Sequence, residues 1–167
     1  MMAGSRRLFP DCRGNAAAEL ALSLPILLIL LFGAFELGNF FLSEHVVQKS
    51  VRDASRYAAR LSISPNYTGC DVSADAAQRI RNVARTGAPD GSTARLRDWS
   101  DEDTDVTIEC DTSSSWASGG TYANFPDGAP VITVSATVPY NTLFGAAGIG
   151  PATLNLNAQS QAAVFGA

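Results

Sequence analysis

The sequence predicts an α+β fold in which a long amino-terminal helix packs on a small antiparallel β-sheet. Two observations carry this prediction. An apolar run between Leu20 and Leu42 continues as a helical pattern to Leu61, and the second half of the chain changes to short β-prone runs separated by Gly, Pro, Ser and Asp. A sheet with alternating faces can cover the apolar face of a long helix, so we expect the two parts to pack together.

The long helix is predicted from about Asn15 to Leu61. Within it, residues 16–35 form a twenty-residue stretch whose only charged residue is Glu19. Twenty helical residues reach about 30 Å, which is the thickness of the hydrocarbon core of a bilayer. No small-x-small cleavage site ends the stretch, so the sequence predicts a retained single-pass anchor and not a secretory signal peptide.

The outer half of this helix keeps one apolar face. The residues of that face recur at spacings of four and three: Val47, Val51, Ala54, Ala58 and Leu61. We expect them to pack on the rest of the chain or on neighbouring molecules. Arg52, Arg56 and Arg60 form a basic stripe, which is either a solvated face or a partner for the acidic residues between Asp98 and Asp105.

A second helix is predicted from Ala74 to Thr86, with Ser73 as its N-cap and Gly87 closing it. Its apolar face consists of Ala76, Ala77, Ile80, Val83 and Ala84. Three strands are expected in an antiparallel sheet, at Val106 to Cys110, Val131 to Val138 and Leu154 to Phe165. The glycine-rich stretch from Gly145 to Gly150 is interpreted as a flexible connection, since no lysine follows as in a phosphate-binding loop.

Composition argues against several function classes. The net charge of −4 is too acidic for a protein that binds nucleic acid by neutralising phosphates. His45 is the sole histidine and lies on the long helix, so a serine hydrolase has no base and no enzyme is predicted. The acidic residues near Asp101 lack the glycine and glutamate of a calcium loop, with Val106 and Thr112 in those places. No metal site and no cofactor are expected.

The cysteines suggest an oxidising compartment for the carboxy-terminal part. Cys70 and Cys110 are forty residues apart and are the only two cysteines beyond the long helix. If this part of the chain is periplasmic they should form a disulfide, which would stabilise the fold by about 2 to 4 kcal/mol. The alternative is two buried free thiols.

The amino-terminal pattern resembles a known family. A short basic leader precedes Gly14, Glu19 follows that glycine by five residues, Leu24-Pro25 lies inside the apolar run, and residues 54–60 are rich in Ala and Arg. Over residues 13 to 61 this resembles the TadE-like family of minor pilins and pseudopilins, which belongs to the tight-adherence, Flp-type IV pilus system.

The resemblance implies a pilin-like fold with three parts: a leader at 1–14, a transmembrane and assembly helix at 15–61, and a periplasmic head at 62–167. A prepilin peptidase would cut between Gly14 and Asn15 on the cytoplasmic face. The product would be a single-pass inner-membrane protein that can enter an extracellular pilus. The implied partners are other pilin and pseudopilin subunits, the prepilin peptidase, the inner-membrane assembly platform and membrane lipid, with no nucleic acid.

Two helix positions are candidates for assembly roles. Glu19 would meet the new α-amino group of an adjacent copy, or else lie solvated at the headgroup level. Pro25 lacks an amide hydrogen and should bend the helix, either as a tolerated kink or as part of assembly. The alternative for the whole chain is an uncleaved single-pass anchor whose periplasmic head binds a ligand or partner.

Overall fold

The structure is a computed structural model that describes residues 13–117, 119–123, 127–146, 148 and 150–166. By its packing the chain divides into two units, unit 1 (Met1–Gly38) and unit 2 (Asn39–Ala167). Of the predicted leader, residues 1–12 lie outside the described part, and Arg13 and Gly14 begin the first helix. The division between the units falls inside that helix, so its outer half belongs with the rest of the chain.

One long helix is followed by shorter helices and five strands in the described part of the chain. In order the elements are α1 (Arg13–Arg60), α2 (Ile63–Asn66), β1 (Tyr67–Thr68), β2 (Asp71–Val72), α3 (Ala74–Thr86), β3 (Thr104–Asp111), β4 (Ala129–Asn141), α4 (Leu143–Ala146) and β5 (Thr153–Ala163). The last three strands form an antiparallel sheet in the order β3-β4-β5, and β1 pairs with β2. The α+β fold and its three-stranded sheet are therefore confirmed.

Strand β4 is longer than the predicted run at both ends. Pairing with neighbours extends it, since Ala129 pairs with Asp111 of β3 and Asn141 pairs with Thr153 of β5. Pro139 is tolerated inside β4 because β3 pairs only as far as Ala136, which leaves one edge of the strand open there.

The core of unit 2 lies between the outer half of α1, α3 and one face of the sheet. Its fully buried side chains include Val47, Val51, Ala54 and Ala58 of α1, Ile80 and Ala84 of α3, Ile132, Val134 and Val138 of β4, and Val164 after β5. Both apolar helix faces that the sequence predicts are in this core, with Leu61 half-buried at its margin. The outer half of α1 thus packs on its own chain.

The carboxyl end of α1 is fixed by contacts from distant parts of the chain. The Tyr67 hydroxyl donates to the Ala58 carbonyl at 2.7 Å, and the Phe165 amide donates to the Ala59 carbonyl at 2.9 Å. The Phe165 bond satisfies a carbonyl of the last helical turn, and the Ala58 carbonyl accepts a second hydrogen bond from the Leu61 amide at 3.1 Å. A side chain at Gly166 would overlap the Leu61 carbonyl, so this close approach requires glycine.

Helix α3 has the predicted boundaries and caps. The Ser73 hydroxyl accepts a hydrogen bond from the Ala76 amide at 3.2 Å. At the other end Gly87 adopts a left-handed conformation with φ of 92°, and its amide donates to the Val83 carbonyl at 2.9 Å. Sequence-local capping therefore sets both ends of this helix.

Candidate functional site

The described part of unit 1 is a helix whose apolar side chains are exposed on all sides. Every large apolar side chain from Leu20 to Leu37 is at least 41% exposed. An 18-residue window of the helix Asn15–Arg60 has a mean hydropathy of 2.3, and none of that window is buried. A core helix of a soluble domain would be covered by its own chain. Among the described residues this helix is long and apolar enough to cross a membrane, and it is a candidate membrane anchor.

Glu19 is the acid placed in this apolar surface. Its side chain is exposed and makes no hydrogen bond or ion pair with any other described residue. Ser23 lies one turn later on the same face, and its hydroxyl donates to the Leu20 carbonyl at 3.2 Å, so its polarity is satisfied within the helix. The exposed carboxylate of Glu19 is therefore accessible to solvent and to groups on another molecule.

The predicted processing site and Pro25 both lie within α1. Gly14 and Asn15 are in the first turn of the helix, where amides have no intrahelical acceptors and the helix frays most easily. Pro25 is exposed inside α1, and the helix continues beyond it to Arg60. Because proline has no amide hydrogen, the Ala21 carbonyl loses its usual donor. A bend at Pro25 stays a prediction.

Residues 14–56 match the family model of TadE-like protein. The match begins at Gly14, includes Glu19 and Pro25, and extends into the outer half of α1, which confirms the resemblance found in the sequence. No curated protein and no solved structure matches the chain. We call residues 14–56 the TadE-like segment; α3 and the sheet lie outside it.

A disulfide joins two elements beyond the TadE-like segment. Cys70 and Cys110, the pair for which the sequence predicts a bond, are linked with their Cα atoms 5.6 Å apart. Cys70 lies in the turn between β1 and β2, and Cys110 lies near the end of β3. The bond ties the small hairpin to the larger sheet. Cys12 is outside the described residues.

The acidic residues between Asp98 and Asp105 have partners in their own chain. Asp101 forms an ion pair with Arg85 of α3 at 2.8 Å and accepts a hydrogen bond from Gln78 at 3.0 Å. Asp98 accepts a hydrogen bond from Asn141 at 2.7 Å. These bonds hold the segment against α3 and β4. In the described ranges no group of three or more His, Cys, Asp or Glu side chains is placed to hold a metal ion.

The basic stripe of the TadE-like segment and its continuation is solvated. Arg52, Arg56 and Arg60 are exposed, and none forms an ion pair with another described residue. Pairing of this stripe with the acidic residues near Asp101 within one chain, one of the two predicted alternatives, is wrong because Arg85 takes that position.

The contacts by which α1 enters unit 2 were not predicted from the sequence. The Asn39 side-chain amide donates to the Tyr140 hydroxyl at 2.8 Å, and the rings of Phe40 and Tyr140 meet edge-on with centroids 5.4 Å apart. Phe41 is next to this pair, with its ring 6.1 Å from that of Phe40. The available signal was the pair Phe40-Phe41 at the end of the apolar run, two large aromatic side chains of the kind that pack in a core or interface.

Proposed function

We propose that the protein is a pilin-like subunit of a tight-adherence pilus. It would be made with the leader 1–14, held in the inner membrane by α1 with unit 2 in the periplasm, and cleaved between Gly14 and Asn15 before assembly. Its role would be structural. The single observation that carries the proposal is the exposed apolar helix of the TadE-like segment with one carboxylate, Glu19, that lacks a partner in its own described chain.

The exposed helix needs a nonaqueous environment. Burying one large apolar side chain is worth about 1.5 to 3 kcal/mol, and every such side chain between Leu20 and Leu37 is exposed in the isolated chain. A bilayer covers this surface in the precursor, and neighbouring helices cover it in a fibre. The same surface therefore suits both states of a protein that moves from membrane to pilus.

Compartment and charge support the same proposal. The disulfide between Cys70 and Cys110 is typical of proteins that fold outside the reducing cytoplasm. Cleavage after Gly14 would create a free α-amino group on Asn15. In an apolar environment that cation and the Glu19 carboxylate of an adjacent copy would each offset the desolvation of the other. Pairing between copies would then set the axial offset between subunits.

Replacement of Glu19 tests this role. We expect Glu19→Ala to be processed and inserted but absent from sheared pili, because removing one member of a buried ion pair costs about 3 to 5 kcal/mol. Glu19→Gln should fail as well, since it keeps the shape but not the charge. Amounts in the membrane and in sheared pili are compared by immunoblot.

Ser23→Ala is the matched control. Ser23 lies on the same face one turn away, and its hydroxyl bonds only to its own helix, so this variant should enter pili normally. Normal incorporation of Glu19→Ala would contradict the proposed role of Glu19. Absence of the unmodified protein from sheared pili would contradict a place in the fibre.

A further inference from the structure

The connection between β4 and β5 lies at the end of unit 2 where the chain enters it. Tyr140 of β4 bonds to Asn39, whereas Ser160 of β5 lies beside Ser55, with the two hydroxyl oxygens 2.9 Å apart. Strand β4 therefore runs toward the entry point of α1, and Thr142 after β4 and Ala152 before β5 lie at that end. This position is a property of unit 2 alone.

Exposed apolar side chains are concentrated at this end. Phe41, Leu42, Leu143 and Leu154 are between 41% and 68% exposed, and we call them the entry patch. The remaining exposed large apolar side chains in the described part of unit 2 are Trp116 and Phe165. Phe165 binds near the carboxyl end of α1, and Trp116 follows β3 where it pairs with the start of β4, so both are remote from the entry patch.

Hydrogen bonds around Thr142 hold the turn that follows β4, next to Leu143 of the entry patch. The Thr142 amide donates to the Ala152 carbonyl at 3.0 Å, and its hydroxyl donates to the Pro151 carbonyl at 2.6 Å. The Gly145 amide in turn donates to the Thr142 hydroxyl oxygen at 2.9 Å. No charged residue occurs in the sequence after Asp127, so the connection presents only uncharged groups.

We propose that the entry patch rests in the interfacial layer of the bilayer that holds α1. This inference depends on the membrane anchor under the proposed function. If the span ends near Phe35, then Phe41 follows it by about 9 Å along the helix, comparable with the depth to which interfacial apolar faces enter the headgroup region. Leu143 of α4 and Leu154 of β5, at the same end of unit 2, would then meet the same layer.

Lipid is favoured over a second copy as the occupant because Phe41 and Leu42 of the patch are continuous in sequence with the span. Any molecule that has α1 in a bilayer has lipid beside Phe41 and Leu42 before it meets another subunit. The adjacent cleft of about 260 Å³ is lined by Arg97 and Asp98 as well as Asn39, and these opposite charges offset each other. Contact should therefore depend on apolar insertion and change little with the fraction of anionic lipid.

Tryptophan fluorescence in brominated lipid tests this placement. The full chain is reconstituted at low density in phosphatidylcholine vesicles whose acyl chains are brominated near the headgroup or near the bilayer centre. Leu143→Trp and Leu154→Trp are each made with Trp116→Phe, which leaves only the buried Trp99 as background. Both introduced tryptophans should show blue-shifted emission and lose intensity, most strongly with bromine near the headgroup. Trp116 in the unmodified chain should not be quenched.

Leu27→Trp, also with Trp116→Phe, separates this inference from the anchor itself. Quenching of Leu27→Trp by deep bromine, with neither entry-patch tryptophan quenched, would overturn the inference and leave the anchor intact. An unquenched Leu27→Trp would overturn both. A blue shift at Leu143→Trp that appears only at high protein density, without bromine quenching, would assign the patch to a second copy and overturn the inference.

Discussion

Units 1 and 2 use similar apolar residues in opposite ways. The described part of unit 1 exposes them all round α1, whereas unit 2 places them on periodic faces that its own α3 and sheet cover. The change occurs within one helix: Leu37 of unit 1 is 55% exposed, and Val47 of unit 2 is fully buried. The described part of unit 1 thus has the surface of a candidate membrane anchor, while unit 2 supplies its own core.

The largest expected difference concerns core truncation. Ile132→Ala, at a fully buried position of β4, should lower the free energy of unfolding of unit 2 by about 2 to 5 kcal/mol through lost packing and a residual cavity. Leu27→Ala in exposed unit 1 should leave that free energy within about 0.5 kcal/mol of its original value. Urea unfolding of the full chain in detergent, followed by Trp99 emission, measures both. An equal loss of unfolding free energy in the two variants would contradict the distinction between an exposed unit 1 and a self-packed unit 2.

Removal of the disulfide should have the next largest effect. The double variant Cys70→Ala, Cys110→Ala should lower the free energy of unfolding by about 2 to 4 kcal/mol. Without the bond, the unfolded chain regains the conformational entropy that the closed loop removes. Cys12→Ala is the control and should not change it. Thiol labelling under denaturing, non-reducing conditions should find one reactive thiol in the precursor and none in a chain that begins at Asn15. Labelling of Cys70 or Cys110 would contradict the bond.

A smaller loss of stability should appear at high pH, where Tyr67 ionises. Burial, with a lesser contribution from nearby Tyr57, raises the pKa of Tyr67 to about 12 from 10.0. Below pH 10 the Tyr67 hydroxyl is protonated in both the folded and the unfolded state, so its contribution to the free energy of unfolding is fully present. That contribution is lost progressively as the pH rises to about 12, because over this range the hydroxyl ionises in the unfolded state but stays mostly protonated in the folded state. The loss is at most about 3 kcal/mol.

Tyr67→Phe serves as the control for this titration. It should be less stable than the unmodified chain at neutral pH, since the bond to the Ala58 carbonyl is gone, by about 1 kcal/mol. Its free energy of unfolding should then fall less between about pH 9 and about pH 11. Parallel pH profiles for the two proteins would show that Tyr67 does not carry the effect.

Elements with local signals could be predicted from the sequence. Helix α3 has a capping serine, an amphipathic face and a closing glycine, and its observed limits are the predicted ones. The long apolar run with Gly14 and Glu19 likewise indicated the helix and the family resemblance. These signals lie within a few turns of chain, so no knowledge of distant contacts was needed.

Features that depend on distant contacts could not be predicted. Hairpin β1–β2 has two residues per strand, and its position is fixed by the disulfide to β3. The choice of Arg85 as partner for Asp101, in place of the basic stripe, follows from how α3 packs. For Glu19, the described chain offers no hydrogen-bond or ion-pair partner, so its proposed pairing with an adjacent copy stays a prediction.

The amino terminus of the protein isolated from membranes and from sheared pili tests the central claim most directly. Intact mass and amino-terminal sequencing should find a chain that begins at Asn15 in the pili, with the precursor beginning at Met1 confined to the membrane. Recovery of only the Met1 form, with none in filaments, would contradict the account and identify α1 as an uncleaved anchor.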